Sequence, residues 1–302
     1  MKKKSILRLI IISILCLNYL TGIALAGHPA IEIMNFYADK PDDKTIIEPY
    51  IVSILALNEV ANGRHLPEVK KFINWYFSKL NYPDIHGLTG TIYVYILEDG
   101  RERSMSQYDS VDGYAGLFLH LLHQYVIKTG DVELLKNNWE RVEDIAYLIP
   151  FLQDTDGLTV ALPGSEIKYL MDNCEAYGGI SAYLSLRRIA GKTESSYYSR
   201  VRHSVKQGIL SNLYDHSSST FSWAVEKNRR SHISWSRYYP DAYAQLLPIY
   251  YDVIKDKPSL RASLWHMFKQ TYADVQPSFP VEQRIIYELT RTKMEAVKNH
   301  DS

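Results

Sequence analysis

Cysteine is almost absent from this chain, which argues against a fold stabilised by disulfides. The 302 residues contain two cysteines, Cys16 and Cys174. Cys16 lies in an N-terminal segment that we expect to be removed, so Cys174 would have no partner for an intramolecular disulfide. No base is recognisable beside Cys174, and the sequence favours a buried apolar role over a nucleophilic thiol.

The chain also lacks an excess of either charge. It has 34 lysines and arginines and 34 aspartates and glutamates, and removal of residues 1–26 would leave a net charge of about −4. Binding to nucleic acid or to an anionic membrane requires a clustered basic surface. The sequence therefore predicts neither kind of partner.

Only one stretch is apolar enough to approach the length of a membrane span, and it lies at the N terminus. Residues 2–4 are lysines, residues 6–20 are strongly apolar, and Ala24-Leu25-Ala26 has the small side chains that a signal peptidase requires. This pattern predicts that residues 1–26 form a signal peptide, leaving residues 27–302 as a single secreted or periplasmic domain. A retained membrane anchor is the alternative, with an apolar run near the lower limit for a span.

The rest of the chain has the periodicity of helical hairpins. Apolar residues recur at helical spacing in residues 46–62, 66–80, 114–129, 132–152, 176–190, 195–214, 243–254, 260–272 and 281–297. Short turns such as Asn62-Gly63 and residues 129–131 join these helices in pairs. Short β-type runs lie between the pairs, at residues 91–97, 158–162 and 220–225, the last facing residues 232–235.

An acidic residue followed two positions later by tyrosine opens the first helix of each pair. The acids are Glu48, Asp112, Glu175 and Asp241, and the steps between them are 64, 63 and 66 residues. In the last three units, small residues stand one and three positions after the acid, which would let neighbouring helices approach closely. This repeat predicts an all-α fold in which the first helices form the inner ring of a toroid and the second helices form the outer layer.

These segments resemble the six-hairpin glycosidases, the (α/α) barrel superfamily of carbohydrate-active enzymes. The resemblance is carried by YDSVDGYAGLFLHLL from Tyr108, YLMDNCEAYGGISAYLSL from Tyr169 and YYPDAYAQLLPI from Tyr238, and it covers roughly residues 48–272. It implies an α/α toroid that acts on carbohydrate. Four hairpins and a C-terminal helix are recognisable where the family ring has six hairpins, so the prediction includes an incomplete ring.

In such a toroid the starts of the inner helices gather at one mouth, which would collect Asp109, Asp112, Asp172, Glu175 and Asp241. Glycoside hydrolysis requires one protonated carboxyl group and one ionised carboxylate, and clustered acids separate their pKa values. The resemblance also implies that the catalytic acids lie at this mouth. Our candidates are Glu175 as the general acid and Asp112 or Asp172 as the base, with inversion of configuration expected by analogy.

Helix capping is the alternative explanation for these acids. Asp172-x-x-Glu175 has the pattern of a capping box, and Asp109-x-x-Asp112 is a close variant. A repeated helix start repeats its cap, so the recurrence of the acids does not separate catalysis from capping. Asp241 lacks a reciprocal capping partner, which slightly favours a functional role there.

Tyrosine is abundant, with 24 residues. The apolar faces of sugar rings stack on aromatic side chains, and tyrosine hydroxyls add polar contacts. Packing in the core is the alternative for each of these side chains. The candidates for substrate binding are Tyr108, Tyr114, Tyr177, Trp223, Trp235, Tyr238 and Tyr239.

The sequence contains no motif that makes a positive case for a cofactor. His120 and His123 stand three residues apart on a predicted helix, but no third metal ligand is evident. The function that these patterns favour is an extracytoplasmic glycoside hydrolase that acts on a poly- or oligosaccharide with paired carboxylates and no cofactor or metal. The alternative is a non-catalytic helical toroid that binds a polysaccharide or a partner protein.

Overall fold

The computed structural model describes residues 27–37, 44–272 and 278–300. The predicted signal peptide lies outside the described residues. Within them, no helix is both long enough and apolar enough to cross a membrane. Cys174 is a free, fully buried cysteine.

Helices dominate the described part of the chain, as the periodicity predicts. Two π-helical turns, Ile209–Leu213 and Tyr238–Ala242, accompany the α-helices. The α-helices are α1 Pro29–Met34, α2 Pro49–Asn62, α3 Leu66–Ser78, α4 Asp112–Thr129, α5 Val132–Asn137, α6 Trp139–Leu152, α7 Leu170–Ile189, α8 Ser196–Gly208, α9 Leu247–Tyr250, α10 Pro258–Tyr272 and α11 Val281–His300.

The helices form two layers around a closed ring. In the inner layer α2 packs on α4, α4 on α7, α7 on α9, α9 on α11, and α11 returns to α2. The second helices of the hairpins lie outside, with α6 and α8 against α7 and α1 against α2 and α3. The predicted α/α toroid is confirmed. Among the described residues, the C-terminal helix α11 is the fifth member of the inner layer and closes the ring.

Local signals in the sequence begin and end the helices. Proline occupies the first turn of α2 and of α3, where its missing N–H costs no hydrogen bond. Gly63 and Gly130 end α2 and α4 in the left-handed conformation, with φ of 67° and 71°. The predicted turns therefore lie where the glycines require them.

Several predicted helix bounds are wrong. Ile46 belongs to a strand that pairs with residues 95–98, so the first inner helix begins only at Pro49. The predicted helix 132–152 divides into α5 and α6 at Asn138. In contrast, α7 begins at Leu170, six residues before the predicted start. Its first turns are buried together with their acids, so they show no apolar stripe against a polar face.

The described residues also form three small antiparallel sheets. Their strands are β1 Lys44–Ile47, β2 Tyr95–Glu98 and β3 Arg101–Ser104 in the first sheet, β4 Ile167–Tyr169, β7 Ala224–Glu226 and β8 Arg229–Arg230 in the second, and β5 Tyr214–Asp215 and β6 Thr220–Phe221 in the third. The predicted pairing of residues 220–225 with 232–235 is wrong. Strand β7 instead turns through Lys227 and Asn228, both with positive φ, and pairs with β8. Residues 158–162 form a single bridge rather than a strand.

Helices α4 and α7 approach each other to backbone contact. A Cβ atom on Gly116 would lie 2.4 Å from the carbonyl group of Glu175, and a Cβ atom on Gly179 would lie 2.4 Å from Cα of Gly116. Real Cβ atoms do not come so close, so only glycine fits at either position. The sequence predicted close approach through small residues, but the contact uses the fourth position after each acid.

We expect Gly179→Ala to lower the free energy of unfolding by about 1–3 kcal/mol, because the added methyl group must displace the backbone of α4. Urea unfolding monitored by circular dichroism measures the change. Arg188→Ala, at an exposed position of the same helix, is the control and should change stability by less than about 0.5 kcal/mol. Equal stability of the glycine variant and wild type would contradict the close contact.

Candidate active site

A cavity of about 180 Å³ opens at the mouth where α2, α4, α7 and α11 begin. Its walls are acidic and aromatic. No lysine, arginine or histidine among the described residues lines it. The acids are Glu48, Asp109, Asp172 and Glu282, and the tyrosines are Tyr50, Tyr114, Tyr239 and Tyr243.

The first turns of α7 supply two carboxyl groups to the floor of this mouth. Asp172 is half-buried and lines the cavity, whereas Glu175 is 1% exposed and lies beneath it. The hydroxyl of Tyr50 donates to Oε1 of Glu175 at 2.6 Å. Both carboxyl groups lie within 3.4 Å of the point that a Cβ on Gly113 would occupy. The missing side chain of Gly113 therefore makes room for the pair.

Asp112 lies in the seam between α4 and α7, behind the mouth. Its side chain is fully buried; Oδ1 accepts the backbone N–H of Gly113 at 2.9 Å, and Oδ2 accepts the hydroxyl of Thr159. Asn173 of α7 in turn accepts the N–H of Thr159 at 2.8 Å. Both carboxylate oxygens of Asp112 are thus engaged away from the cavity.

Burial and like charge raise the pKa values of these acids. Burial raises the pKa of Glu175 well above its ordinary value, and the charge of Asp112 adds to the effect. The pKa of Asp172 also rises well above the ordinary value, first through burial and then through Asp112, Glu175 and Asp109. Burial raises the pKa of Asp112 to about 7. Asp172 and Glu175 therefore favour the protonated form, in which they can donate a proton or a hydrogen bond.

Capping does not explain Asp172 and Glu175. The N-cap of α7 is Tyr169, and that of α4 is Val111; neither makes a side-chain capping hydrogen bond. Asp172 and Glu175 lie inside the helix, so the alternative prediction that they form a capping box is wrong. The acids at the mouth thus have an environment that the start of a helix does not require.

The structure separates Asp241 from the other predicted acids. It is fully buried, accepts the backbone N–H of Ser234 at 2.7 Å and forms an ion pair with Arg237, also at 2.7 Å. It does not line the acidic cavity. Asp241 therefore fixes the loop before the fourth inner helix. Asp109, in contrast, is exposed and lines the mouth.

Two of the predicted aromatic residues, Tyr114 and Tyr239, line the mouth. Tyr114 is buried and stacks on Tyr50, with ring centroids 5.5 Å apart. Tyr239 is half exposed at the rim. Tyr108 donates instead to Asp84 at 2.7 Å, outside the cavity lining.

The remaining predicted aromatic residues lie elsewhere. Tyr177 lines a second cavity of about 680 Å³ together with His120 and His123. Trp223 lies in a groove beside β7. Tyr238 stacks on Phe279, with ring centroids 3.7 Å apart. The carbonyl group of Trp235 accepts the hydroxyl of Tyr272 at 2.5 Å, and the indole packs against the core.

Sequence reasoning missed four of the acidic and aromatic side chains that line the mouth: Glu48, Tyr50, Tyr243 and Glu282. The first three belong to the acid-x-tyrosine repeat, so the repeat itself contained the signal that could have found them. Glu282 stands in the first turn of α11, which lacks the repeat. No group of three or more potential metal ligands occurs in the described ranges.

Comparison with known proteins places the fold. No protein-family model matches the chain, and no curated protein matches it significantly. Several solved structures, however, match the fold of this chain. A rhamnosidase from Klebsiella oxytoca, with rhamnose bound, superposes with a TM-score of 0.53 and 12% identity over 82% of this chain and 47% of its own length.

Two further enzymes superpose at similar levels. The GH76 α-mannanase of Bacteroides thetaiotaomicron gives a TM-score of 0.51 and 10% identity, covering 74% of this chain and 60% of that one. Cellobiose 2-epimerase from Bacillus thermoamylovorans gives 0.50 and 10%, covering 77% and 61%. The chain has the six-hairpin glycosidase-like toroid fold. It spans about half the length of the rhamnosidase, and at this identity the likeness concerns the fold alone.

The six-hairpin glycosidase-like fold is one that carbohydrate-active enzymes use. Fold does not decide activity, which depends on the site. In this toroid the candidate site is the acidic, tyrosine-lined mouth.

We expect the stability of the protein to fall as the pH rises from about 4 to 7. The folded-state pKa of Asp112 is about 7, against 3.8 for the free side chain. Between these values the folded state holds a proton that the unfolded state releases, so the stabilisation is complete at low pH and is lost as the pH passes through the folded value. Asp112→Asn, which mimics the neutral form, should reduce the pH dependence in urea unfolding.

The control for this titration is Glu140→Gln, because Glu140 is exposed at the start of α6. It should keep the wild-type dependence on pH. An unchanged slope in Asp112→Asn would show that this carboxyl group is ionised in the folded protein.

Proposed function

We propose that this protein is an extracytoplasmic glycoside hydrolase whose active site is the acidic mouth of the toroid. One observation carries the proposal: Asp172, with a raised pKa, lines a tyrosine-walled cavity at the starts of the inner helices. Its neighbour across the cavity lining is the exposed carboxylate of Asp109. Glycoside hydrolysis requires two carboxyl groups beside one sugar-sized space, and the raised pKa of Asp172 suits it to the role of proton donor.

Asp172 is the general acid in this proposal. It reaches the cavity directly, and burial together with neighbouring carboxyl groups keeps it protonated until it donates to the leaving oxygen. Asp109 is the partner that activates water or stabilises the developing positive charge. Glu175, our sequence-based candidate for the acid, is 1% exposed and lies beneath Asp172, and its charge, when it is ionised, raises the pKa of Asp172 further.

The cavity accommodates one sugar ring. Its volume of about 180 Å³ is below the range of pockets for drug-sized ligands. Tyr114 and Tyr239 offer aromatic surface for the apolar face of that ring, and the hydroxyl of Tyr114 lies 3.3 Å from Glu48. The substrate is therefore a poly- or oligosaccharide with one unit held among the four acids.

Export is part of the proposal, supported by the signal-peptide pattern of residues 1–26. We expect the exported protein to begin at Gly27 and to contain one free thiol, Cys174. Intact mass and thiol titration of the denatured exported protein measure both properties. A retained N-terminal segment, or the absence of a titratable thiol, would contradict this part.

Asp172→Asn should reduce turnover of a responsive glycan by about 10² to 10⁴, because asparagine keeps the shape but delivers no proton. A substrate whose leaving group needs no protonation should restore the rate of this variant. Asp109→Asn should lose a similar factor without such rescue. The assay is release of reducing ends from a panel of oligosaccharides, read together with melting curves.

Asp241→Asn is the matched control, because Asp241 is a buried acid outside the cavity lining. It should lose stability, by about 1–3 kcal/mol, with no selective loss of rate. Equal rates of Asp172→Asn and wild type would refute the assignment of the acid. Binding of glycans without turnover by wild type would favour the non-catalytic alternative.

A further inference from the structure

A groove whose lining differs in charge from that of the acidic mouth lies beside the mouth. It is a groove of about 510 Å³ on the small sheet β4–β7–β8. Trp223 lines it, together with Ile167, Glu226, Lys227, Arg229 and Arg230. We call this recess the Trp223 groove.

The Trp223 groove lies next to the start of the helix that carries the proposed acid. The carbonyl oxygen of Trp223 accepts the backbone N–H of Leu170 at 2.9 Å, and Asp172 follows two residues later. The Trp223 ring also stacks on Tyr169 with ring centroids 6.3 Å apart and an angle of 14°. Burial raises the pKa of Tyr169, and the charges of Asp172 and Asp109 add to the effect. Tyr169 thus lies between the groove and the mouth.

The charged groups of the groove have a positive excess. Lys227 is paired with Glu166 at 2.9 Å. Arg230 donates to the main-chain carbonyl of Ser211 at 2.8 Å. Among the described residues, neither Arg229 nor Arg230 forms an ion pair with a carboxylate.

The polar atom on the aromatic wall of the groove is a donor without an acceptor. Nε1 of Trp223 is buried, and no acceptor among the described residues lies within hydrogen-bond distance. A buried N–H group without an acceptor costs free energy. The Trp223 ring lines the groove, where it would pack on the apolar face of a sugar ring.

We propose that the Trp223 groove binds a carboxylate-bearing sugar unit of the same glycan whose neighbouring unit occupies the mouth. Guanidinium groups recognise carboxylates with charge-assisted hydrogen bonds. The mouth has four acids and no base among its lining residues, so it offers a carboxylate no positive charge. The charges therefore fix which unit lies in which recess. The inference rests on the proposed function for the reaction, but binding in the groove does not require turnover.

The test compares trisaccharides of uronic acids with neutral hexose trisaccharides, using the fluorescence of the full mature chain. We expect the acidic trisaccharides to bind at least tenfold more tightly at low salt. This preference should shrink at about 1 M salt, where the Debye length is about 3 Å. Binding should change the emission of Trp223, and Trp223→Phe should lose both this change and part of the affinity.

Arg229→Gln should abolish most of the preference for acidic over neutral trisaccharides. Arg200→Gln is the matched control, because Arg200 is an exposed arginine of α8 outside the groove. Melting curves confirm that each variant is folded. Equal affinity of wild type for acidic and neutral sugars, or an unchanged preference in folded Arg229→Gln, would overturn the proposal.

The outcomes separate this inference from the proposed function. Hydrolysis of neutral glycans without any preference for acidic ones would overturn the acidic subsite and leave the hydrolase standing. Selective binding of acidic trisaccharides that depends on Arg229, with no hydrolysis of any glycan, would support the groove and overturn the hydrolase.

Discussion

The backbone contact between α4 and α7 is the constraint on which the rest of the site depends. Gly116 and Gly179 let the two helices meet without intervening side chains. The contact extends towards the helix starts, where Gly113 leaves room for the carboxyl groups of Asp172 and Glu175. Any larger side chain at these glycines would separate the helices and admit water between the acids.

Exclusion of water from this seam explains the chemistry of the mouth. Carboxyl groups that lose their hydration favour the neutral form, and neighbouring acids reinforce the effect. Thr159 binds Asp112 and Tyr50 binds Glu175, so these acids keep a hydrogen bond despite burial. Oδ2 of Asp172 has no partner among the described residues. Oε2 of Glu175 also lacks one, and of these two acids only Asp172 lines the cavity.

The sequence was most informative where local periodicity determines the structure. The hairpins and the toroid followed from apolar spacing and from a step of 63 to 66 residues between acids. The start of α7 was missed because a helix buried on all sides has no polar face. The pairing of β7 was missed because Lys227 and Asn228 form a turn without the glycine that such turns favour.

The candidate site could be predicted only in part, because residues at equivalent positions of the repeat do not all lie together in the structure. The repeat brought Asp109, Asp172 and Glu175 to one mouth, but it also included Asp241, which an arginine four residues earlier holds in a separate ion pair. Glu282 came from a helix without the repeat. Asp112 is buried and Asp109 is exposed, and this difference arises only when the helices pack together.

The protonation of the carboxyl groups at the mouth is the central claim, and infrared difference spectroscopy of the C=O stretch tests it most directly. At pH 7 the account predicts a band from protonated carboxyl groups in wild type that is reduced in Asp172→Asn and in Glu175→Gln, and unchanged in Glu140→Gln. If wild type shows no protonated carboxyl group at pH 7, the dry seam between α4 and α7 does not control these acids, and the proposed mechanism is wrong.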